Sequence, residues 1–257
     1  MGARRALRAV WRLLRAVLHG LHGMAIVLLC FPRLDRQGRR ERVRWWSQGM
    51  LRALGLRLAV QGQFKPGAKM IVANHVSWLD IMVVHAVCPE ARFVAKAEVR
   101  HWPLLGRLVG AAETLYIERQ RKRDAMRVVH HSAEALQAGD TIAVFAEGTT
   151  GPAPDGGLLP FHANLLQAAV ATGAALQPVA LRYADRRDAV SPAALWLGET
   201  TLAQTLWRLA AADGLVARLQ VLPARASRHA DRRALAATLR SDIEGALAAL
   251  DAAHNRS

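Results

Sequence analysis

From about residue 56 to its end, the chain alternates short apolar runs with helical patterns. The apolar runs predict strands near 57–60, 69–74, 91–96, 113–118, 141–147, 175–182 and 216–222. Helical spacing of apolar residues predicts helices at 78–87, 122–138, 162–173, 202–212 and about 229–253. This alternation predicts an α/β sandwich with a largely parallel or mixed sheet over residues 56–257.

Residues 1–55 form a different unit, in which Arg side chains are interleaved with apolar ones. Residues 3–18 show apolar side chains at helical spacing. Residues 16–31 are mostly apolar, but two His and two Gly interrupt them, and the stretch is shorter than the roughly 20 residues of a straight transmembrane helix. We expect a membrane-associated helical hairpin that dips into one leaflet. A single transmembrane span, or helices that only cover the main domain, are the alternatives.

The positive charge is concentrated in the same region. Residues 1–60 contain 13 Arg and only two acidic side chains, so they carry +11 of the formal net charge of +15. A charge of this size indicates nucleic acid or anionic lipid as a partner. Because the Arg residues alternate with Leu, Val and Ala, we expect membrane lipids and no nucleic acid. The two cysteines suit a reducing compartment. The expected location is the inner (cytoplasmic) membrane, peripheral or monotopic, with the α/β domain facing the cytoplasm.

The segment with the clearest chemical pattern runs from Asn74 to Asp80, between a predicted strand and a predicted helix. Side chains at such junctions collect at the ends of strands, where α/β proteins place their sites. His75 can act as a general base, and Asp80 can orient it if His75 lies in the turn and Asp80 in the first turns of the helix. An isolated pair with this spacing is more often a buried structural His with a capping Asp.

Four ordered blocks resemble the glycerolipid acyltransferase family that includes the 1-acylglycerol-3-phosphate acyltransferases. The first is the N-H-x4-D pattern at Asn74, His75 and Asp80. The others are Phe93–Val99 with Trp102–Gly106 and then Leu115–Arg119, Phe145–Gly151, and Leu176–Ala180. The resemblance covers residues 74–180 and implies a glycerolipid-acyltransferase-like fold.

The resemblance also implies an enzyme that moves a fatty acyl group from acyl-CoA or acyl-carrier protein to a lysolipid acceptor, 1-acyl-sn-glycerol-3-phosphate, giving phosphatidic acid. The catalytic residues would be His75 and Asp80, with Lys96 or backbone N–H groups near Gly148 facing the developing oxyanion. The substrate-binding residues would be Asn74, Arg119, Glu147, Gly148, Thr149 and Pro178. Arg119 would bind the acceptor phosphate.

The sequence indicates no cofactor, no metal site and no covalent intermediate. A Gly-x-Ser-x-Gly elbow is absent, and neither Cys30 nor Cys88 has a metal-ligand spacing or a nearby base motif. Direct attack of the acceptor hydroxyl on the thioester is the simpler scheme. A non-catalytic lipid-binding protein is the competing interpretation.

Several positions depart from the family pattern. Thr150 stands where the family has Arg, Ala146 replaces a Pro, and His162 replaces a Lys. Less positive charge weakens the capture of a dianionic phosphate. Together with the longer loop after Gly151, this leaves another lysolipid, such as lyso-ornithine lipid, as the alternative acceptor.

Overall fold

Seven strands form one mixed sheet in a computed structural model of the chain, which describes residues 2–96, 98, 101, 105–117, 122–151 and 157–256. The strands are β1 (Arg57–Gln61), β2 (Lys69–Ala73), β3 (Ala91–Lys96), β4 (Leu115–Ile117), β5 (Thr141–Phe145), β6 (Ala175–Ala184) and β7 (Val216–Val221). Their order in the sheet is β1-β7-β6-β2-β5-β3-β4. All neighbours are parallel except β6 and β7, which are antiparallel. The predicted α/β fold is confirmed.

Helices cover both faces of the sheet. They are α1 (Ala3–Leu29), α2 (Arg36–Leu54), α3 (Leu79–His85), α4 (Leu105–Ala111), α5 (Lys122–Gln137), α6 (Gln167–Thr172), α7 (Leu202–Ala211) and α8 (Arg232–His254). Successive strand residues point to opposite faces. In β2, for example, Ile71 belongs to the core cluster that contains residues of α2, α3 and α7, whereas Val72 belongs to the cluster that contains residues of α5, α6 and α8. The helix α4 is the one described helix that the apolar pattern does not predict.

The N-terminal region is a helical hairpin with a polar clasp at its centre. The ring Nε2 of His19 lies 2.9 Å from the Trp46 carbonyl oxygen, and the Trp46 indole N–H donates to the His19 carbonyl at 3.2 Å. Gly23 lies under the indole and Gly49 under the imidazole, so a side chain at either glycine would overlap a ring. The His and Gly residues that interrupt the apolar stretch do not break the helix, because α1 is continuous over 27 residues. The His and Gly residues form the interface with α2.

The segment Ala3–Arg33 is long and apolar enough to cross a membrane, with a mean hydropathy of 1.8 over a window that is 22% buried. By length and composition it is a candidate membrane anchor. Large apolar side chains are exposed along α1 at Leu7, Val10, Trp11, Leu14, Val17, Leu18, Leu21, Leu28 and Leu29.

The Arg side chains of α1 contact the protein itself. Arg5 and Arg8 donate to the Ala211 carbonyl, and Arg12 donates to the carbonyls of Ala210 and Ala212. These oxygens belong to the last turn of α7 and to the residue that follows it, where carbonyl groups have no partner within the helix. Guanidinium groups also suit the negative end of the helix dipole. At least three of the Arg residues expected to face lipid are therefore engaged by α7.

The hairpin continues into the core of the α/β domain. Leu51 and Leu54 of α2 are buried in the same cluster as Ile71 and Leu79. The division of the chain at residue 55 stays a prediction.

Candidate active site

The His75–Asp80 pair lies at the carboxyl end of β2, where the chain turns into α3. The ring Nδ1 of His75 lies 2.8 Å from Asp80 Oδ2, so the predicted contact is present. The same oxygen accepts the backbone N–H groups of Val76 at 2.7 Å and Ser77 at 2.9 Å. Because a carboxylate only accepts hydrogen bonds, Nδ1 carries a proton, and in the neutral ring the lone pair therefore lies on Nε2. The geometry thus fixes the tautomer that a general base requires.

Aromatic packing holds the imidazole ring in place. His75 stacks on Phe145, the last residue of β5, with ring centroids 3.9 Å apart and planes 6° apart. Phe145 in turn stacks on Phe93 of β3 at 5.3 Å. About 19% of the His75 side chain remains exposed, whereas that of Asp80 is fully buried. The pair therefore combines a reachable ring with a carboxylate that water cannot reach.

The second oxygen of Asp80 accepts a hydrogen bond from Tyr183 of β6. The phenol O–H donates to Oδ1 at 2.7 Å, and Tyr183 is only 1% exposed. Burial and the nearby Asp80 carboxylate raise the pKa of Tyr183 well above its ordinary value. The hydroxyl is therefore a permanent donor to Asp80.

Three of the expected substrate ligands point into the protein instead. One oxygen of Glu147 accepts the His75 backbone N–H at 2.8 Å, and the other accepts that of Leu159 at 2.9 Å. Burial raises the pKa of Glu147, although both hydrogen bonds act in the opposite direction. The Asn74 amide exchanges two hydrogen bonds with the Leu181 backbone, and Pro178 is buried within β6. The Asn74 and Glu147 side chains connect β2 and its turn to β6 and to the loop after β5, and all three side chains are buried.

The loop after Glu147 runs past His75. Gly148 has a φ of 71°, and a Cβ atom there would lie 2.9 Å from Cδ2 of His162. The Gly151 N–H donates to the His75 carbonyl at 3.2 Å, and Thr149 is exposed. Positive φ and close approach together explain why glycine occupies position 148.

Two predicted cations cannot be placed. Arg119 lies outside the described residues. Lys96 ends β3, but its side chain is also outside the part of the chain that the structure describes.

Tyr183 and the Leu159 N–H are site features that the sequence motifs do not include. Phe145 opens the third motif block, but the motif does not predict that its ring stacks on His75. Tyr183 shares a sheet face with Leu181, two residues earlier, but periodicity does not identify Asp80 as its partner.

Comparison with known proteins adds independent evidence. A family model described as Acyltransferase matches residues 57–182. The lyso-ornithine lipid O-acyltransferase of Pseudomonas aeruginosa is 37% identical over 92% of this chain and 91% of its own length. The 1-acyl-sn-glycerol-3-phosphate acyltransferase of Neisseria meningitidis is 36% identical over 79% of each protein.

A solved structure has the same fold. The crystal structure of the 1-acyl-sn-glycerophosphate (LPA) acyltransferase PlsC from Thermotoga maritima covers 96% of both chains with a TM-score of 0.72, at 20% identity. On the strength of the family match and the long alignments with relatives, the chain belongs to the acyltransferase family that includes the 1-acylglycerol-3-phosphate acyltransferases, and it is an acyltransferase enzyme.

Proposed function

We propose that the enzyme transfers an acyl group from acyl-CoA or acyl-carrier protein to the free hydroxyl of 1-acyl-sn-glycerol-3-phosphate, which gives phosphatidic acid for phospholipid synthesis. The 2.8 Å contact between His75 Nδ1 and Asp80 Oδ2 carries this proposal. A buried carboxylate that fixes one nitrogen of a partly exposed imidazole ring is the arrangement of a general base. The relative from Neisseria meningitidis supports the choice of acceptor.

The reaction follows from this geometry. The acceptor oxygen attacks the thioester carbonyl carbon while Nε2 of His75 takes the hydroxyl proton. The C–O bond forms, the C–S bond breaks, and the proton passes from His75 to the departing thiolate. Asp80 stabilises the imidazolium that exists between these two transfers. No cofactor is needed for the balance of atoms and electrons.

Other residues would bind the reacting groups. Lys96, or backbone N–H groups near Gly148, would stabilise the oxyanion. Arg119 would bind the acceptor phosphate, and the exposed Thr149 would contact the headgroup. Asn74, Glu147 and Pro178 are proposed to position the site without touching substrate, because all three side chains are buried.

Lyso-ornithine lipid is an equally supported acceptor. The relative from Pseudomonas aeruginosa with that activity in its name aligns over 92% of this chain. Thr150 also replaces the family Arg, which favours an acceptor without a dianionic phosphate.

The test is acyl transfer by purified protein in detergent, with each lysolipid offered alongside each donor. His75→Ala should lower the rate by about 10² to 10⁴. His131→Ala, at an exposed position on α5, is the matched control and should leave the rate unchanged. Turnover like that of the wild type in His75→Ala would reject the base. Turnover of only one lysolipid would identify the acceptor.

We further propose that the protein is held on the inner membrane, facing the cytoplasm, by the exposed apolar side chains of α1. Flotation with anionic vesicles tests this. Replacement of Leu14 and Leu18, both exposed, by Glu should release the protein into solution. Unchanged flotation of this variant would reject the role of α1.

A further inference from the structure

Asp80 is a buried anion whose two oxygens have very different surroundings. Its side chain is fully buried, and Oδ2 accepts three hydrogen bonds, from the His75 ring and from the backbone N–H groups of Val76 and Ser77. Among the residues that the structure describes, Oδ1 accepts one, from the Tyr183 hydroxyl at 2.7 Å. A buried ionised oxygen is stable only when it is hydrogen-bonded. Among the described groups, Tyr183 is therefore the one hydrogen-bond donor to Oδ1.

Tyr183 is held rigidly by the centre of the sheet. It lies in β6, pairs with Ala217 of β7, and its carbonyl accepts the Ser191 N–H at 2.7 Å. Its ring is buried in the cluster that contains Leu79 and Leu181. At 1% exposure it cannot touch a substrate. The hydroxyl thus reaches Asp80 from a fixed point and binds the oxygen that His75 does not contact. Tyr183 also lies one residue beyond the region that the family model matches.

We infer that Tyr183 is a positioning residue for acyl transfer, which fixes the Asp80 carboxylate and through it controls how readily His75 takes up the acceptor proton. This inference rests on the proposed role of His75 as the base. A hydrogen bond to Oδ1 withdraws negative charge from the carboxylate and holds its plane, so that Oδ2 stays directed at Nδ1. Without that bond, the charge is more available to the imidazolium, and the ring holds its proton more tightly.

The other groups around the pair do not provide this control. Glu147 is the titratable side chain facing His75 from the loop after β5, and its carboxylate is bonded to backbone N–H groups. From β5 itself the neighbour is the uncharged ring of Phe145. Among the described residues, Tyr183 is therefore the group that can act on the pair through the second oxygen of Asp80.

The experiment measures pH profiles of kcat/KM for the full-length protein. Tyr183→Phe keeps the ring and removes only the hydroxyl. It should lower kcat by roughly tenfold at pH 7, since bonds to charged groups are among the stronger hydrogen bonds. The acidic limb of the kcat/KM profile should move to higher pH by about half a unit or more. The KM for the acceptor should stay unchanged. Because the residue does not touch substrate, this split between kcat and KM distinguishes positioning from binding.

Two controls separate positioning from a general loss of stability. Ser227→Ala removes another buried hydroxyl, which donates to the Ala169 and Ala174 carbonyls, and should lower the unfolding temperature without moving the pH profile. In an Asp80→Asn background, Tyr183→Phe should cost no further activity. An equal loss in both backgrounds would overturn the inference, as would a wild-type pH profile and rate for Tyr183→Phe.

The sequence allows a second test in protein that keeps its native side-chain framework. The chain has only two tyrosines, Tyr116 and Tyr183. Global replacement by 3-fluorotyrosine strengthens the phenol as a donor and should move the acidic limb to lower pH. Labelled Tyr183→Phe protein, which carries the analogue only at position 116, is the control. A limb that does not move would overturn the inference even if Tyr183→Phe fails to fold. If His75→Ala is inactive and the acidic limb does not move, only the role of Tyr183 is rejected. If His75→Ala is active, the proposed base itself is rejected.

Discussion

The contact between α1 and α2 at His19 and Trp46 predicts different effects of alanine at two glycines of α1, Gly20 and Gly23. Gly23→Ala places a Cβ atom inside the Trp46 indole, whereas Gly20→Ala places one 3.9 Å from the Met50 methyl group, an ordinary contact. Each change adds about 1 kcal/mol of helix propensity. Overpacking costs about 1–3 kcal/mol, and only Gly23→Ala incurs it. Gly20→Ala should therefore stabilise the protein by about 1 kcal/mol, and Gly23→Ala should be less stable than Gly20→Ala by about 1–3 kcal/mol.

Urea unfolding in detergent, followed by tryptophan fluorescence, measures this difference. Because both substitutions add one methyl group to the same helix, the propensity term cancels, and the difference reports the overlap with Trp46. The reciprocal pair provides a check: Gly49→Ala overlaps the His19 ring and should be partly rescued by His19→Ala. Equal stability of Gly20→Ala and Gly23→Ala would refute the clasp.

Two further predictions concern pH and the motif loop. Burial lowers the pKa of His85 from its usual 6.5 to about 4. Between these two pH values His85 is protonated in the unfolded chain and neutral in the folded protein. The free energy of unfolding should fall by up to about 3 kcal/mol over this window, and His85→Gln, assayed by urea unfolding at several pH values, should flatten the fall; an unchanged slope would contradict the assignment. Gly148→Ala should cost about 1–2 kcal/mol from its positive φ alone and should reduce turnover. His162→Ala should restore only the part of that stability loss due to overlap with the ring, and full restoration would show that φ is not the cause.

The sheet could be predicted well from sequence because its information is local. Strands such as β2 and β5 are continuous apolar runs, as expected where both faces are covered. The contact between His75 and Asp80 was equally predictable, because the two residues are five positions apart in the sequence. The helix α4 is not predicted because its seven residues, LGRLVGA, include two glycines, which disfavour a helix.

Features that depend on distant partners were not predictable. His19 and Gly23 read as interruptions of an apolar stretch, but they match Trp46 and Gly49 on the facing helix. Glu147 reads as a ligand in a motif, yet its partners are two backbone N–H groups brought together by the fold. Burial changes the role of a residue type in a way that its neighbours in sequence do not reveal.

The guanidinium groups of α1 that bind the carbonyls of α7 limit how far the N-terminus can be truncated. Membrane proteins are often trimmed at the N-terminus to obtain material that needs no detergent. Here, trimming before Leu13 would remove Arg5, Arg8 and Arg12 together and leave the end of α7 without its donors. It would also uncover Ala210 and Ala211, which pack against Ala9. Replacing the exposed apolar residues of α1 by polar ones, with every Arg retained, would preserve these contacts and is the better route to material that needs no detergent.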